Sequence, residues 1–290
     1  MLRQGLRLLL TACVALFAVA SLGKNANDNS KNISPWPGGA EVAVVLTYDD
    51  ALDSHLDIAI PQLNAHKLPG TFYLSGARPS IRARLAEWRS AAAAGHELGN
   101  HMLYHPCRKS LAGRDWVKPW QDLDHYTLEQ FVDELQTTNS LLAAIDGERT
   151  RSFAYPCGDM QAGGEDIVAS LKRHAVAARF GSADGQHAID DGNFYQLESF
   201  DALGKSGDEL IAVVEAARAE NSLVGFMFHG VGGDYLTTSA EAHRVLLDYL
   251  AAHPDVYWVA TVRDAVAQLQ RFQGGQQRKS EPLASTAREN

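Results

Sequence analysis

Residues 42–50 of the chain read VAVVLTYDD, a continuous run of mostly apolar, β-branched residues that ends in two carboxylates. Such a run is typical of a parallel strand that is buried on both faces. Similar short runs follow at 70–74, 97–99, 152–155, 175–178, 195–197, 223–228 and 257–261. Amphipathic stretches lie between them, the clearest at 81–94, 128–145, 208–219, 240–252 and 262–270. This alternation predicts an α/β fold, a distorted (β/α) barrel with seven or eight parallel strands and an active site at their carboxyl ends.

The composition is that of an ordinary globular protein. Of the 290 residues, 46% are hydrophobic and 21% are charged, which excludes disordered, collagen-like and coiled-coil chains. The length favours one large domain. Because the formal net charge is −9, nucleic acid and anionic membrane surfaces are not expected as partners.

The N-terminal 20 residues have the pattern of a secretory signal peptide, with two arginines, an apolar stretch and Ala-Val-Ala before Ser21. We therefore expect a secreted or periplasmic protein. An uncleaved anchor is one alternative, and a lipid-modified Cys13 in a lipobox-like Leu-Thr-Ala-Cys is another. After the signal peptide we expect a flexible leader at 21–40, a folded domain at 41–270 and a disordered tail at 271–290.

Two histidines four residues apart, His101 and His105, follow the third predicted strand. On one helical turn this spacing puts both imidazoles on a common face, as metal sites require. Asp49 or Asp50, after a neighbouring strand, supplies the missing hard ligand. Two neutral imidazoles, one carboxylate and a water form an open site of the catalytic type, most consistent with Zn²⁺, although cobalt, nickel and manganese also accept these ligands.

Two further strand ends carry groups suited to acyl transfer. Residues 153–158 read FAYPCG and end in a Pro–Gly turn, in which the backbone N–H of Cys157 can point at a developing oxyanion. An ordinary turn is the alternative. The run at 223–228 is apolar until His229 follows it, and this position suggests a catalytic acid. A hydrogen-bonded structural histidine is the alternative there.

Cleavage of the signal peptide would leave two cysteines, Cys107 and Cys157, in an oxidising compartment. Each lies just beyond a motif that we assign to the same rim of the predicted barrel. We therefore predict a disulfide between them, with two buried free thiols as the alternative.

In order and spacing, residues 47–50, 101–105, 153–158 and 227–229 resemble four of the five motifs of the polysaccharide deacetylases, also called the NodB-homology fold or carbohydrate esterase family four. The resemblance covers roughly residues 43–270. It implies hydrolysis of acetyl groups from acetylated polysaccharide or oligosaccharide, by a water bound to a divalent metal ion. Position by position, it implies that Asp49 is the general base, that Asp50, His101 and His105 are the metal ligands, and that His229 is the general acid.

The resemblance also implies substrate contacts, and the sequence departs from the family's motifs at two points. Met227 is expected to pack against the acetyl methyl group. Many members hold the base carboxylate with an arginine at the position of Ala154, and the sequence does not rank the replacements Arg108, Arg151 and Arg179. The motif whose aspartate orients the acid histidine is not clearly present, and Asp201 is our candidate for it.

The long loop at 106–126 carries Trp116, Trp120 and Tyr126, which we expect either to stack on sugar rings or to belong to the core. Our leading hypothesis is thus a secreted, metal-dependent carbohydrate deacetylase. A non-catalytic sugar-binding protein on the same fold and a hydrolase of a small amide are the alternatives. Polymers of N-acetylglucosamine, peptidoglycan and O-acetylated xylan all fit one acetyl pocket.

Overall fold

The computed structural model describes residues 34–181, 185–187, 192–220 and 222–280. The predicted signal peptide, the lipobox-like Cys13 and most of the predicted leader lie outside these residues. In the part that is described, no helix combines the length and the apolar character needed to span a membrane.

The secondary structure alternates between short strands and helices along the chain. The strands are β1 (Val42–Asp49), β2 (Thr71–Leu74), β3 (Glu97–Asn100), β4 (Phe153–Ala154), β5 (Gln161–Ala162), β6 (Glu165–Asp166), β7 (Ala178–Arg179), β8 (Gln186–His187), β9 (Phe200–Asp201), β10 (Leu223–Phe228) and β11 (Tyr257–Ala260). The α-helices are α1 (Ile60–His66), α2 (Pro79–Ala83), α3 (Leu85–Ala93), α4 (Leu128–Asp146), α5 (Val168–Leu171), α6 (Gly207–Ala216), α7 (Ala240–Ala252) and α8 (Val262–Ser280).

The main sheet has the order β7-β4-β3-β2-β1-β10-β8, with β11 also paired to β1 and β9 to β10. All of these strands except β8 lie in parallel ladders. Leu197 forms an isolated bridge with Arg179 of β7, and β9, just after it, pairs with β10. The sheet therefore curls into a distorted α/β barrel, as the sequence predicts, and the parallel ladders bring the carboxyl ends of the strands to one mouth.

The central strand, β1, is buried along its whole length. Its residues alternate between two apolar clusters, as the two-residue period of a strand requires. Val44 and Leu46 pack with residues of the surrounding helices, whereas Ala43 and Val45 pack inside the barrel with Tyr73 and with residues of α8. This alternation places Asp49, at the end of the strand, on the same inner face as Ala43 and Val45.

Several predicted boundaries differ from the structure. The strand predicted at 175–178 lies at Ala178–Arg179, and the one predicted at 195–197 contributes only the bridge at Leu197. The helix predicted at 81–94 is broken at Arg84, where φ is −126°, into α2 and α3. These errors arise because strand ends and helix breaks depend on neighbours that are distant in sequence.

Both ends of the predicted domain extend further than expected. Trp36, predicted to lie in a flexible leader, is buried, and its ring centroid lies 5.8 Å from that of Trp258. Burial of a large indole surface stabilises this segment. At the other end, α8 continues past residue 270, where a disordered tail was expected.

Candidate metal and catalytic site

Asp49 and Asp50 are both buried at the carboxyl end of β1. Asp49 is the last residue of the strand and faces the barrel interior. Asp50 follows with a φ of 81°, a conformation that non-glycine residues rarely adopt and that costs about 1–3 kcal/mol. Its N–H donates to the carbonyl of Tyr73 at 3.0 Å. The neighbouring strand β2 thus holds the backbone in the turn that brings the second carboxylate into the mouth.

His101 and His105 lie in a loop after β3, and the predicted helical turn is wrong. Met102 and His105 both have positive φ, which folds the loop back on itself. Glu134, on α4, pins it by accepting hydrogen bonds from the N–H groups of Leu103 and Tyr104, at 3.0 and 2.9 Å. The two imidazoles nevertheless meet, with ring centroids 4.7 Å apart.

Each imidazole directs Nε2 towards the carboxylates. His101 donates from Nδ1 to the carbonyl of Ala154 at 2.9 Å, which leaves its Nε2 3.7 Å from Oδ1 of Asp50. Nε2 of His105 lies 3.4 Å from the same oxygen. Burial lowers the pKa of His101 and lowers that of His105 to about 4. Both rings are therefore neutral near neutral pH, the form in which histidine binds metals.

The ligand atoms of Asp50, His101 and His105 all lie within 4.8 Å of one another. Oδ1 of Asp50, which faces both rings, is buried and has no hydrogen-bond partner in the structure. The guanidinium of Arg78 lies 3.4 Å from this oxygen. A buried carboxylate oxygen that accepts no hydrogen bond is costly, and a cation between the three ligands would relieve that cost. The three residues therefore fit a divalent metal ion, as do their donor types.

Arg179 provides the positive charge beside Asp49 that the resemblance places at position 154, where this chain has alanine. The two residues are cross-strand partners on β4 and β7, so the guanidinium reaches the mouth from the adjacent strand. It donates to Oδ2 of Asp49 and, at 3.1 Å, to Oγ of Ser199, and it lies over the ring of Tyr73. Of the three arginines that the sequence does not rank, this one holds the carboxylate. The other two pair elsewhere, Arg108 with Asp124 and Arg151 with Asp146.

The charge around Asp49 favours its ionised form. Burial by itself raises the pKa of this carboxyl, but the charge of Arg179 opposes burial and the pKa lies below its ordinary value. Arg179 occupies only Oδ2, and the other oxygen, Oδ1, is buried and has no hydrogen-bond partner among the described residues. Asp49 thus presents an ionised oxygen that is free to accept a proton.

His229 follows β10 directly and is half-buried. His55, in a π-helical turn at His55–Ala59, donates from Nε2 to the carbonyl of His229 at 2.7 Å. Asp201, the candidate for orienting this histidine, is exposed, and its Oδ1 accepts from the N–H of Leu203 at 3.0 Å. No hydrogen bond joins Asp201 to His229 in the described parts of the chain, and its role stays a prediction.

The predicted turn after β4 lies at the wall of the site. Cys157 has a φ of 56°, and its Cα lies 5.8 Å from that of Cys107, with the two sulfurs in disulfide contact. Arg114 donates to the carbonyl of Cys157 at 2.9 Å. Cys157 and Met227 both line the cavity at this mouth, while their predicted roles towards an acetyl group remain predictions.

The cavity at the mouth has a volume of about 1050 Å³, and its walls include several aromatic side chains. Trp116 and Trp120 line it and are 50% and 63% exposed, and the Trp116 ring lies 6.2 Å from that of His105. Tyr126 is not among the residues that line this cavity. Its hydroxyl donates to Glu134 at 2.8 Å, and its ring packs against a buried apolar cluster. Two of the three predicted aromatic residues therefore face the cavity.

Sequence reasoning missed two residues that contact Asp50. The hydroxyl of Tyr235 donates to Oδ2 of Asp50 at 2.6 Å, and Arg78 lies 3.4 Å from Oδ1. Arg78 follows β2 and could have been found from the rule that functional groups follow the carboxyl ends of barrel strands. Tyr235 belongs to no motif, and no local signal marks it.

Comparison with known proteins shows the family resemblance. The polysaccharide deacetylase family model matches residues 38–176. A candidate polysaccharide deacetylase from Mycobacterium smegmatis has a similar structure, with a TM-score of 0.59 and 17% identity over 88% of this chain and 97% of that one. The peptidoglycan deacetylase PdaC of Bacillus subtilis has a TM-score of 0.53 and 15% identity, over 82% and 97% of the two chains. The resemblance predicted from the motifs is confirmed.

Two other similarities limit the functional conclusion to the level of the family. A CE4 family pseudoenzyme from Bacillus anthracis has a TM-score of 0.50 and 18% identity, over 77% of this chain and 65% of that one. The uncharacterized protein YlxY of Bacillus subtilis is 26% identical over 134 residues, which is 46% of this chain and 37% of that protein. The match thus spans little more than a third of this curated relative. At such identities the structural likeness shows the fold.

Proposed function

With its resemblance to the polysaccharide deacetylases as the premise, we propose that this protein hydrolyses acetyl groups from acetylated polysaccharide or oligosaccharide and depends on a divalent metal ion. The observation that carries the proposal is the convergence of Asp50, His101 and His105 beside the ionised Asp49. We propose Zn²⁺ first, because two imidazoles and one carboxylate match its common catalytic ligand set. When bound, the ion supplies Lewis acidity towards the acetyl carbonyl.

The residues of the chain would divide the proton transfers between them. Asp49 accepts a proton from the attacking water at Oδ1, since Arg179 already occupies Oδ2. His229 donates a proton to the leaving amine or alcohol. The N–H of Cys157 donates to the developing oxyanion, and Met227 packs against the acetyl methyl group. Both residues line the same cavity as Asp49 and His229, which supports this arrangement.

The first test is acetate release from a panel of acetylated glycans, with chelator and metal add-back. We expect release that chelation abolishes and Zn²⁺ restores. Asp49→Asn should retain the metal but lose turnover by about 100- to 10,000-fold, the usual contribution of a general base. His101→Ala, the matched control, should lose both metal and turnover because it removes a ligand.

Two results would contradict the proposal. If Asp49→Asn released acetate at the parent rate, Asp49 would not be the base. If no glycan released acetate with metal present, yet oligosaccharides bound, the protein would be a sugar-binding module on this fold. The lack of an arginine at position 154 favoured that alternative, but Arg179 on the neighbouring strand pairs with Asp49 instead.

We also propose that the protein acts outside the cytoplasm, either secreted or in the periplasm. The signal-peptide pattern of residues 1–20 supports this location, as does the disulfide contact between Cys107 and Cys157. Cell fractionation tests it, with the full chain compared against a chain that lacks residues 1–20. Recovery of both chains from the cytoplasm would contradict the proposal.

A further inference from the structure

Asp50 has its two oxygens in different surroundings. Oδ2 accepts a hydrogen bond from the hydroxyl of Tyr235 at 2.6 Å. Oδ1 faces the two imidazoles and lies 3.4 Å from the guanidinium of Arg78. The hydroxyl oxygen of Tyr235 in turn accepts a hydrogen bond from Arg78. A tyrosine that donates to the carboxylate while it accepts from a guanidinium has its hydroxyl proton orientated towards Asp50.

The backbone holds Tyr235 in this position from both sides. Asp234 and Leu236 both have positive φ, so the chain turns sharply on either side of the tyrosine. The carbonyl of Tyr235 accepts from the N–H of Gly230 at 3.0 Å. The carboxylate of Asp234 accepts from the N–H of Ser54 at 2.8 Å, which ties this loop to the segment after β1.

Arg78 reaches the same point from a different loop. It precedes α2, and its backbone N–H donates to the carbonyl of Ser75 at 3.1 Å. Its guanidinium also lies over the face of the Tyr235 ring, 5.6 Å from the centroid. The tyrosine is therefore fixed by its own loop and by the charge of a second loop, although 42% of its surface is exposed.

We propose that Tyr235, supported by Arg78, is a positioning residue for the metal ligand Asp50. By occupying Oδ2, the tyrosine leaves Oδ1 as the single oxygen presented to a cation between His101 and His105. Hydrogen-bond partners of metal ligands fix the orientation of the ligand, and their loss typically weakens metal binding 10- to 100-fold. The inference rests on the proposed function in one respect, that Asp50 is a ligand of the metal ion.

The test measures metal binding without turnover. Tyr235→Phe keeps the ring and removes only the hydroxyl. We expect the chelator-treated full chain with this substitution to bind Zn²⁺ about 10- to 100-fold more weakly than the parent, in competition with a chromophoric chelator. The visible spectrum of bound Co²⁺ should change as well, because the orientation of a ligand changes. Tyr104→Phe is the matched control, since Tyr104 is a similarly exposed tyrosine of the same cavity that makes no contact with Asp50 in the described structure.

The outcomes separate the inference from the proposed function. Parent-like Zn²⁺ affinity and Co²⁺ spectrum in Tyr235→Phe would overturn the positioning role, even if acetate release were normal. An equal loss of affinity in Tyr104→Phe would overturn it too, because the loss would then not come from the contact with Asp50. If the parent binds Zn²⁺ and Tyr235→Phe binds it weakly, the role stands, even where the parent releases no acetate and the proposed function fails.

Discussion

The proposed role of Asp49 as general base depends on the different surroundings of its two carboxylate oxygens. The carboxylate is buried and its Oδ2 is paired with Arg179, while its Oδ1 accepts no hydrogen bond from the part of the chain that the structure describes. The resemblance implies an arginine at the position of Ala154 on β4, and here the guanidinium comes from the adjacent strand β7. The same charge pair can therefore be built from either of two neighbouring strands, because both end at the same mouth.

Arg179→Met is expected to move the acidic limb of the pH profile of kcat/KM to higher pH. The charge of Arg179 lowers the pKa of Asp49, and without it burial raises that pKa, so the base is protonated and inactive over a wider acidic range. Breaking a buried ion pair also destabilises the fold by about 3–5 kcal/mol. The profile should be recorded with metal saturating, and stability by urea unfolding.

Arg151→Met is the matched control for this substitution. Arg151 is also buried and pairs with a carboxylate, Asp146, with 3.2 Å between Nη2 and Oδ1. It should lower the free energy of unfolding without moving the acidic limb. A limb that stays in place in Arg179→Met, or moves equally in both variants, would show that Arg179 does not set the ionisation of Asp49.

At the scale of elements, the loop at 106–126 forms one wall of the cavity. The sulfurs of Cys107 and Cys157 join its beginning to the turn after β4. Arg114 pairs with Asp159 and donates to the carbonyl of Cys157, which ties the middle of the loop to the same turn. The loop therefore presents Trp116 and Trp120 from a backbone that is anchored at more than one point.

The variant Cys107→Ser/Cys157→Ser is expected to be about 4 kcal/mol less stable than the parent. Closing a ring across a sequence separation of 50 removes about that much chain entropy from the unfolded state. Urea unfolding under oxidising conditions measures the difference, and the reduced parent should match the double variant. Two titratable thiols in the unfolded, unreduced parent without residues 1–20, and so without Cys13, would show that the predicted disulfide does not form.

Trp116→Ala and Trp120→Ala should each lower kcat/KM on acetylated oligosaccharides about tenfold, which corresponds to the loss of about 1.4 kcal/mol from an exposed aromatic contact. We expect these residues to stack on sugars beside the one that reacts, so the effect should grow with chain length. Leu111→Ala is the control, since Leu111 is exposed in the same loop and does not line the cavity. Equal losses on short and long substrates would contradict stacking on neighbouring sugars.

For the whole molecule, buried neutral histidines make stability depend on pH. Burial lowers the pKa of His55 and His96 to about 4 and that of His243 to about 3. His243 accepts from the hydroxyl of Tyr48 at 2.7 Å and donates to Gln62 at 2.6 Å, so its neutral form is part of the packing. His243 and His96 are buried in the fold, and His55 lies beside the proposed site, where it donates to the carbonyl of His229.

The free energy of unfolding should therefore fall as the pH drops from about 6.5 towards about 4. In that window the histidines are protonated in the unfolded chain but stay neutral in the folded protein. Each such histidine therefore lowers the free energy of unfolding by roughly 1.4 kcal/mol per pH unit. Urea unfolding at a series of pH values measures the slope. His243→Gln should reduce it, because this variant removes one of the buried rings. An unchanged slope in His243→Gln would show that burial of this ring does not set the pH dependence.

Much of the architecture can be predicted from local sequence patterns. The apolar runs and amphipathic stretches predict the parallel strands and the helices between them, and the motifs after the strands predict which residues share one mouth. Exact strand ends, the break at Arg84 and the burial of Trp36 were not predictable, because each depends on packing against distant residues. The prediction of a helical turn at His101 and His105 was wrong for the same reason. Glu134 on the distant helix α4 accepts hydrogen bonds from the loop between them.

Local sequence patterns are enough to establish the α/β barrel and the carboxylates and histidines at its mouth, because strand periodicity and residue order are properties of neighbouring positions. The arginine that pairs with Asp49 and the hydroxyl that donates to Asp50 are instead set by the folded arrangement of the chain. Arg179 is 130 residues from Asp49 and Tyr235 is 185 residues from Asp50. No local pattern records such pairs, because they exist only once the barrel has curled and brought separate loops to one place.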